Sequence, residues 1–371
     1  MAVVISLKLV FGHTVTAQLR STSTSTSSSL RTIVVMAAGT ARLAAPTLLS
    51  LLGLCVLSGT ACAQTFTTRS IGQSNPLAGT SNTITVTIQT DVNLAQADSS
   101  VITISGLNNA PDAASLALAS VENSMANMLF WEGTTQGEGA LSSGTLTLTL
   151  FTGKTVLAGT QYAFSFTITN PSAAQDAPTV TIAASGTAFI APTSMVAPDS
   201  PLLGVVKGSK PLLVMLPEFQ VRKIGQSNPL EGGSNTITVT IQSNVNLAQS
   251  HGSVVTIVGL TNAPDTSSLA LTSVENHGAN LFSDGTTQGM GSLSSGTLTL
   301  KVHQNQTVMA GVQYAFSFTI LNPITAQDAS TVTIEASGTA EFLYDRGAMS
   351  TDKADLNGVT NGGKPITVVS K

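Results

Sequence analysis

The chain has 371 residues, 42% of them hydrophobic but only 9% charged and 4% aromatic. That hydrophobic content excludes wholesale disorder, and so few Glu, Lys and Arg exclude a protein built mainly of solvent-facing helices. All nineteen acids lie after residue 63, against eleven of the fifteen Lys and Arg, so residues 64–371 carry about −8 without a basic run. This excludes nucleic acid and anionic lipid as the main partner.

Residues 1–35, with the tract STSTSTSSS, read as a disordered upstream extension, and Met36 reads as the natural initiator. Residues 36–63 read as a signal peptide: Arg42 closes a short positive segment and Leu43 to Leu57 form an apolar stretch too short for comfortable membrane spanning. Small residues at Ala61 and Ala63 place cleavage between Ala63 and Gln64. The alternatives are an uncleaved anchor and a lipoprotein site at Cys62, the latter disfavoured by Gly59 three residues earlier. Cys55 and Cys62 are the only cysteines, so cleavage leaves no disulfide, no Cys metal site and no Cys nucleophile. Cores of roughly 150 residues hold without such staples. The remaining chain has no second long apolar run and ends in ITVVSK, so neither a transmembrane stem nor a glycolipid anchor signal is expected.

The rest is a duplication. IGQSNPL at Ile71–Leu77 recurs at Ile224–Leu230, and NTITVTIQ at Asn82–Gln89 recurs at Asn235–Gln242, both offset by 153. After a deletion near Asn127 the offset is 152: LSSGTLTL at Leu141 recurs at Leu293, and QYAFSFTI at Gln161 recurs at Gln313. A unit of this size is a whole domain, giving copies at 64–216 and 217–371, each expected to fold by itself, with no flexible Gly/Ser linker between them. In chain order, Ile84, Val86 and Ile88 alternate with Thr83, Thr85 and Thr87; Val101–Ile104 is a short strand; Leu146, Leu148 and Leu150 alternate with Thr145, Thr147 and Thr149; Tyr162, Phe164, Phe166 and Ile168 alternate with Ala163, Ser165 and Thr167; Thr179–Ile182 is another short strand. Turns fall at Ser74-Asn75-Pro76, 108–112, 133–139, 142–144 and Asn170-Pro171. Seven to nine strands per copy, each with one apolar face, need a second sheet to cover them, so the fold class is all-β: two tandem immunoglobulin-like β-sandwiches.

The run GQSNPL, NTITVTIQ, ITISGL (Ile102–Leu107) and FTITNP (Phe166–Pro171) resembles repeats in secreted proteins of unicellular marine algae. More loosely it resembles immunoglobulin-like sandwiches of bacterial invasin-type surface proteins. The resemblance spans residues 66–371 and implies the fold and an extracellular place; it brings no catalytic residues.

Any site essential to each domain should appear in both copies. His251, His277 and His303 face Asp98, Ser124 and Phe151 in the first copy, which marks them as scattered surface residues. The pairs Asp112/Asp265, Glu122/Glu275 and Asp176/Asp328 are shared, but Trp131, the only Trp, has no aromatic match, as a glycosidase cleft would want. No catalytic residue and no metal ligand is assigned. Calcium held by loop Asp, Asn and Glu is kept open as a cofactor, without a DxDxDG-like cluster to carry it. The Thr rows raise an ice-binding reading, which their shortness disfavours. Asn305-Gln306-Thr307 is an N-glycosylation sequon, while Pro171 disqualifies Asn170. The expected function is a non-enzymatic secreted structural or interaction protein of matrix, wall or cell surface with an unidentified protein or glycan partner. The alternative is a carbohydrate-binding protein, calcium-assisted, and an enzyme comes third.

Overall fold

The computed structural model describes residues 2–8, 14–20, 63–121, 125–338 and 343–370. Most of the expected signal peptide, including Cys55 and Cys62, and Glu122 and Ser124 lie outside the described residues. Two compact units are present, residues 1–64 and 65–371. In the first, β1 (Ala2–Lys8) and β2 (Thr14–Arg20) pair antiparallel, Ala2 opposite Arg20 and Lys8 opposite Thr14. This hairpin departs from the disorder expected of residues 1–35. The Ser/Thr tract begins only at residue 21, and the stretch before it is rich in the β-branched residues that favour strands, among them Val3, Val4, Ile5 and Val15.

The second unit holds both copies. The first comprises β3 (Phe66–Gln73), β4 (Ser81–Thr90), β5 (Val101–Ser105), β6 (Ala113–Ser120), β7 (Glu138–Ser142), β8 (Thr145–Leu150), β9 (Tyr162–Thr169), β10 (Thr181–Ser185) and β11 (Ile190–Ser194). Their lateral order is β11-β10-β5-β8-β7-β6-β9-β4-β3. β6 belongs to both layers of the sandwich: Ala113–Ala117 pair with β7, Leu118–Ser120 pair with β9, and a bulge falls between Ala113 and Leu116. Beyond β11 the chain crosses to the free edge of β3 and runs parallel to it. Val196 N–H donates to the Arg69 carbonyl at 2.8 Å, and Ile71 N–H donates to the Val196 carbonyl at 3.0 Å. Sheet edges with unpaired N–H and C=O groups invite pairing with other chains, and this return segment covers one of them.

The second copy repeats the plan with β12 (Phe219–Gln226), β13 (Ser234–Ser243), β14 (Val254–Val258), β15 (Thr266–Glu275), β16 (Met290–Ser294), β17 (Thr297–Val302), β18 (Gln313–Leu321), β19 (Thr333–Ser337) and β20 (Leu343–Ala348). The order is β20-β19-β14-β17-β16-β15-β18-β13-β12, with Ser350–Thr351 parallel to β12. The chain is thus all-β, two tandem β-sandwiches. The period-two readings hold: Ile84, Val86, Ile88, Leu146, Leu148, Leu150, Phe164 and Phe166 are all buried, and Thr83, Thr85 and Thr87 face outward. The strand expected at Thr179–Ile182 starts two residues later. The segment before it is pressed against Gly106, where a Cβ would stand 2.3 Å from the Thr179 carbonyl oxygen at φ +97°, so only glycine fits there.

The repeated Asn and Gln residues have a common explanation. Asn82 is fully buried; its Nδ2 donates to Gln73 Oε1 at 2.9 Å and to Asn170 Oδ1 at 2.8 Å, and its Oδ1 accepts the backbone N–H groups of Ser74 and Asn75. Gln73 Nε2 donates to the carbonyls of Gly208 and Leu213, and its Oε1 accepts Leu212 N–H at 2.7 Å. Asn170 Nδ2 donates to the carbonyls of Asn75 and Leu77. The same bonds recur around Asn235, with Gln226, Asn322, Gly362, Ile366 and Thr367. These amides tie the first turn, the Asn-Pro turn and the returning segment to one point.

The two cores meet at the junction. Val205 and Leu77 of the first copy belong to the apolar cluster of the second, and Leu203, Leu213 and Met215 pack against it. The tight turn 202–205 seats on the second copy: Asn246 N–H donates to the Leu203 carbonyl at 2.8 Å. At Gly204 (φ +79°) a Cβ would lie 2.3 Å from Asn246 Oδ1 and 2.6 Å from the Ala310 Cβ.

Replacing Asn82 by Ala removes one side chain but strands several buried partners, each costing about 1–3 kcal/mol. We expect a loss of about 3 kcal/mol or more in urea unfolding, against under about 0.5 kcal/mol for Thr83→Ala on the wet face; a loss below about 1 kcal/mol for Asn82→Ala would refute the network's role. Residues 64–216 and 217–371 made separately are each expected to melt cooperatively with β-type circular dichroism, unaffected by reductant. Unfolded halves beside a joined chain melting as one would show a single shared fold instead.

Candidate functional site

The described members of the shared carboxylate set, Asp112, Asp265, Glu275, Asp176 and Asp328, lie on separate segments and form no metal-holding group of three. Asp112 and Asp265 play the same local part. Each accepts a backbone N–H at 2.7 Å, from Ser143 and Ser295, holding the tight β7–β8 and β16–β17 turns. Glu275 accepts a hydrogen bond from Gln313 Nε2 at 2.9 Å, and Asp176 and Asp328 are exposed. Among the described residues no group of three or more His, Cys, Asp or Glu stands close enough to hold a metal ion.

A further pair of carboxylates caps a second turn. Glu132 in the first copy and Asp284 in the second each precede Gly-Thr-Thr. Asp284 accepts the backbone N–H groups of Thr287 and Thr286, both at 2.9 Å, and the hydroxyls of Ser268 and Thr286. These donors, the Thr287 and Thr286 N–H groups foremost, hold its carboxyl well below the usual carboxylate range. Glu132 is lowered as well, first by the Thr134 hydroxyl and then by the backbone N–H of Thr135. The motif is hidden in the sequence because one copy uses Glu and the other Asp.

Beside this turn the copies diverge. In the first, Trp131 and Phe151 stack edge to face, ring centroids 5.7 Å apart at 88°. Their counterparts are Ser283 and His303, and without the rings the second copy has an open cleft of about 460 Å³ lined by Ser283, Lys301, His303, Gln249, Ser253 and Gln304 among others. The lysine replaces Thr149. So His303, read as a scattered surface residue, lines a cleft; His251 lies in the short 3-10 turn Gln249–His251 beside it, and His277 is exposed elsewhere. The lining offers cationic, hydroxyl and amide groups and no carboxylate, which suits a hydroxyl-rich or anionic small ligand. A smaller cleft of about 290 Å³ in the first copy is bordered by Asp199 and Lys210, paired at 2.9 Å; that lysine holds the Asp199 carboxyl below its usual range.

Asn305 is exposed in a turn at φ +61°, open to a glycan. Ala63 is exposed and Gln64 half-buried, three and two residues ahead of β3. Across β4 and β9 the Thr83 and Thr167 hydroxyls meet at 3.3 Å, and the outward Thr row of β4 runs to only three, Thr83, Thr85 and Thr87.

No protein-family model matches the chain, and no curated protein does, so the resemblance to algal secreted proteins finds no support there. Among solved structures, "BspA_C_mut" is similar at 10% identity and TM-score 0.38, covering 76% of this chain and 98% of its own. The B domain of a biofilm-associated protein is similar at 8% identity and TM-score 0.25, covering 80% and 89%. Domains D2 and D3 of the major pilin SpaD from Corynebacterium diphtheriae are similar at 7% identity and TM-score 0.27, covering 82% and 97%. Likeness this distant does not bear on what the chain does.

The lowered Asp284 carboxyl has a signed consequence. A group whose folded pKa is depressed contributes stability above its unfolded value, about 3.9, and loses it as pH falls through the folded value. The melting temperature of the native chain should therefore drop more between about pH 4 and pH 2 than that of Asp284→Asn, which keeps an acceptor oxygen but cannot titrate. Parallel curves for the two would contradict this.

Proposed function

We propose that residues 64–371 are a non-enzymatic extracellular module of structural or adhesive type, exported by a leader cleaved between Ala63 and Gln64. The observation that carries this reading is the junction: the 202–205 turn seats on the second sandwich through an apolar contact and a backbone hydrogen bond, giving two modules a fixed spacing without a linker. Fixed spacing is what a spacer or scaffold in a wall, matrix or cell surface requires. Supporting it, Asp112, Asp265, Glu132 and Asp284 are engaged in holding turns, which leaves them unsuited to acid–base chemistry. A second reading, a carbohydrate-binding protein, is favoured by the hydroxyl- and amide-lined cleft of the second copy, with calcium as a further arm of the test. Asn305 is the expected glycan acceptor in a glycosylating host.

The protein secreted by a eukaryotic host should begin at Gln64 on N-terminal sequencing, and Asn305→Gln should remove one glycan by mass. Retention of residues 36–63 would overturn the leader reading. On a glycan array with and without chelator, no saturable binding is expected of a purely structural module. Specific binding lost in Lys301→Ala would transfer the function to the cleft, chelator sensitivity would add calcium, and turnover of a polysaccharide would overturn both readings.

A further inference from the structure

The junction between the two sandwiches consists of a knob and a socket, and each copy carries both. The knob is the tight turn Leu202-Leu203-Gly204-Val205, closed by Leu202 N–H to the Val205 carbonyl at 3.1 Å and Val205 N–H to the Leu202 carbonyl at 2.9 Å. The second copy builds the same turn from Leu356-Asn357-Gly358-Val359, closed by the same two bonds at 3.1 and 2.8 Å. The backbone matches as well: φ is +52° and +79° at Leu203 and Gly204, and +51° and +78° at Asn357 and Gly358.

The socket is likewise duplicated. In the second copy Asn246 Oδ1 accepts the Ala310 N–H at 2.8 Å, and in the first Asn93 Oδ1 accepts the Ala158 N–H at 2.8 Å. Each socket is braced from below by equivalent bonds, Gly311 N–H to the Ser243 carbonyl and Gly159 N–H to the Thr90 carbonyl, both at 2.8 Å.

What differs is occupancy. The second socket is filled, and there Val245 is buried and Asn246 and Ala310 are half-buried. In the first, Asn93 and Ala158 are exposed and Val92 is half-buried. The Asn246 N–H bonds to the knob's Leu203 carbonyl, whereas the Asn93 N–H has no acceptor among the described residues. The second knob is the mirror case. A Cβ at Gly204 would collide with Asn246 and Ala310, but a Cβ at Gly358 meets nothing within 4 Å.

We propose that the 356–359 turn of one chain docks into the Asn93–Ala158 socket of a second copy of the same chain, reproducing between molecules the contact that joins the two sandwiches within one. The interface is heterologous, knob to socket, so each added chain presents a fresh knob and a fresh socket and the assembly extends head to tail, as a ring or a filament according to the rotation per chain. Two substitutions weaken it: Asn357 stands where the internal knob has Leu203, and Thr367 where the first copy has Leu213, each removing an apolar contact. The internal contact also enjoys the high effective concentration of a short tether, which the contact between chains lacks. Association between chains is therefore weak and reversible, while the internal junction persists.

Sedimentation velocity of the full chain from about 10 µM to about 1 mM tests this, a range suited to a small interface. The native chain should shift to dimers and longer species with concentration. Gly358→Asp blocks the knob; its side chain has open space in its own chain but none in a socket, and Asp tolerates positive φ. Ala158→Arg blocks the socket at an exposed position. Either variant alone should stay monomeric. Mixed, they should give a one-to-one dimer and nothing longer, because one knob and one socket remain; this recovery also shows that both variants are folded. Asn357→Leu should tighten association about tenfold or more, the effect of burying a leucine side chain. A native chain monomeric throughout, or blocked variants that associate like it, would overturn the proposal.

Discussion

Each sandwich is organised around one buried carboxamide, Asn82 in the first copy and Asn235 in the second. A primary amide offers two donors and two acceptor lone pairs, and burying it without partners is costly. Asn82 meets that constraint by collecting groups that no sheet ladder could satisfy: two N–H groups of the turn after β3, the Gln73 oxygen and the Asn170 oxygen. Gln73 and Asn170 then pass the connection on to the returning segment and the first turn. Because the set is fully partnered, it pins three chain segments far apart in sequence in one arrangement, which a purely apolar contact of the same size would leave free to slide.

That arrangement has a consequence for the junction. The returning segment that Gln73 holds in place, residues 207–215, is continuous with the 202–205 turn and with Leu213 and Met215. The amide cluster therefore fixes both how a sandwich closes on itself and where it presents its knob. Closure of one domain and its attachment to the next are parts of a single structural device, which explains why the copies need no linker.

The strands and their faces were readable from the residues because period-two alternation reports burial directly; Ile84, Val86 and Ile88 face inward and the intervening threonines outward. The amide cluster was not readable. Asn82 looks like the polar start of a strand and Asn170 like a turn residue, and only the fold brings them within 2.8 Å. The cleft beside His303 was missed for a related reason. A histidine facing a phenylalanine across a duplication looks like drift, and the loss of Trp131's counterpart at Ser283 has meaning only once the two positions are seen to be neighbours. The turn at 356–359 was not singled out in the sequence, because nothing in its composition distinguishes a docking element from any other Gly-containing turn.

The edge-to-face pair of Trp131 and Phe151 also affects what a spectroscopist sees. Trp131 is the chain's one tryptophan, and it sits in the first sandwich with the Phe151 ring against it. Indole emission therefore reports the environment of a single sandwich, while the far-ultraviolet signal of the backbone sums over both. Unfolding curves recorded by the two probes will coincide only if the sandwiches melt together, and the shift of the indole transition between the joined chain and the isolated first half measures how strongly the junction couples the two.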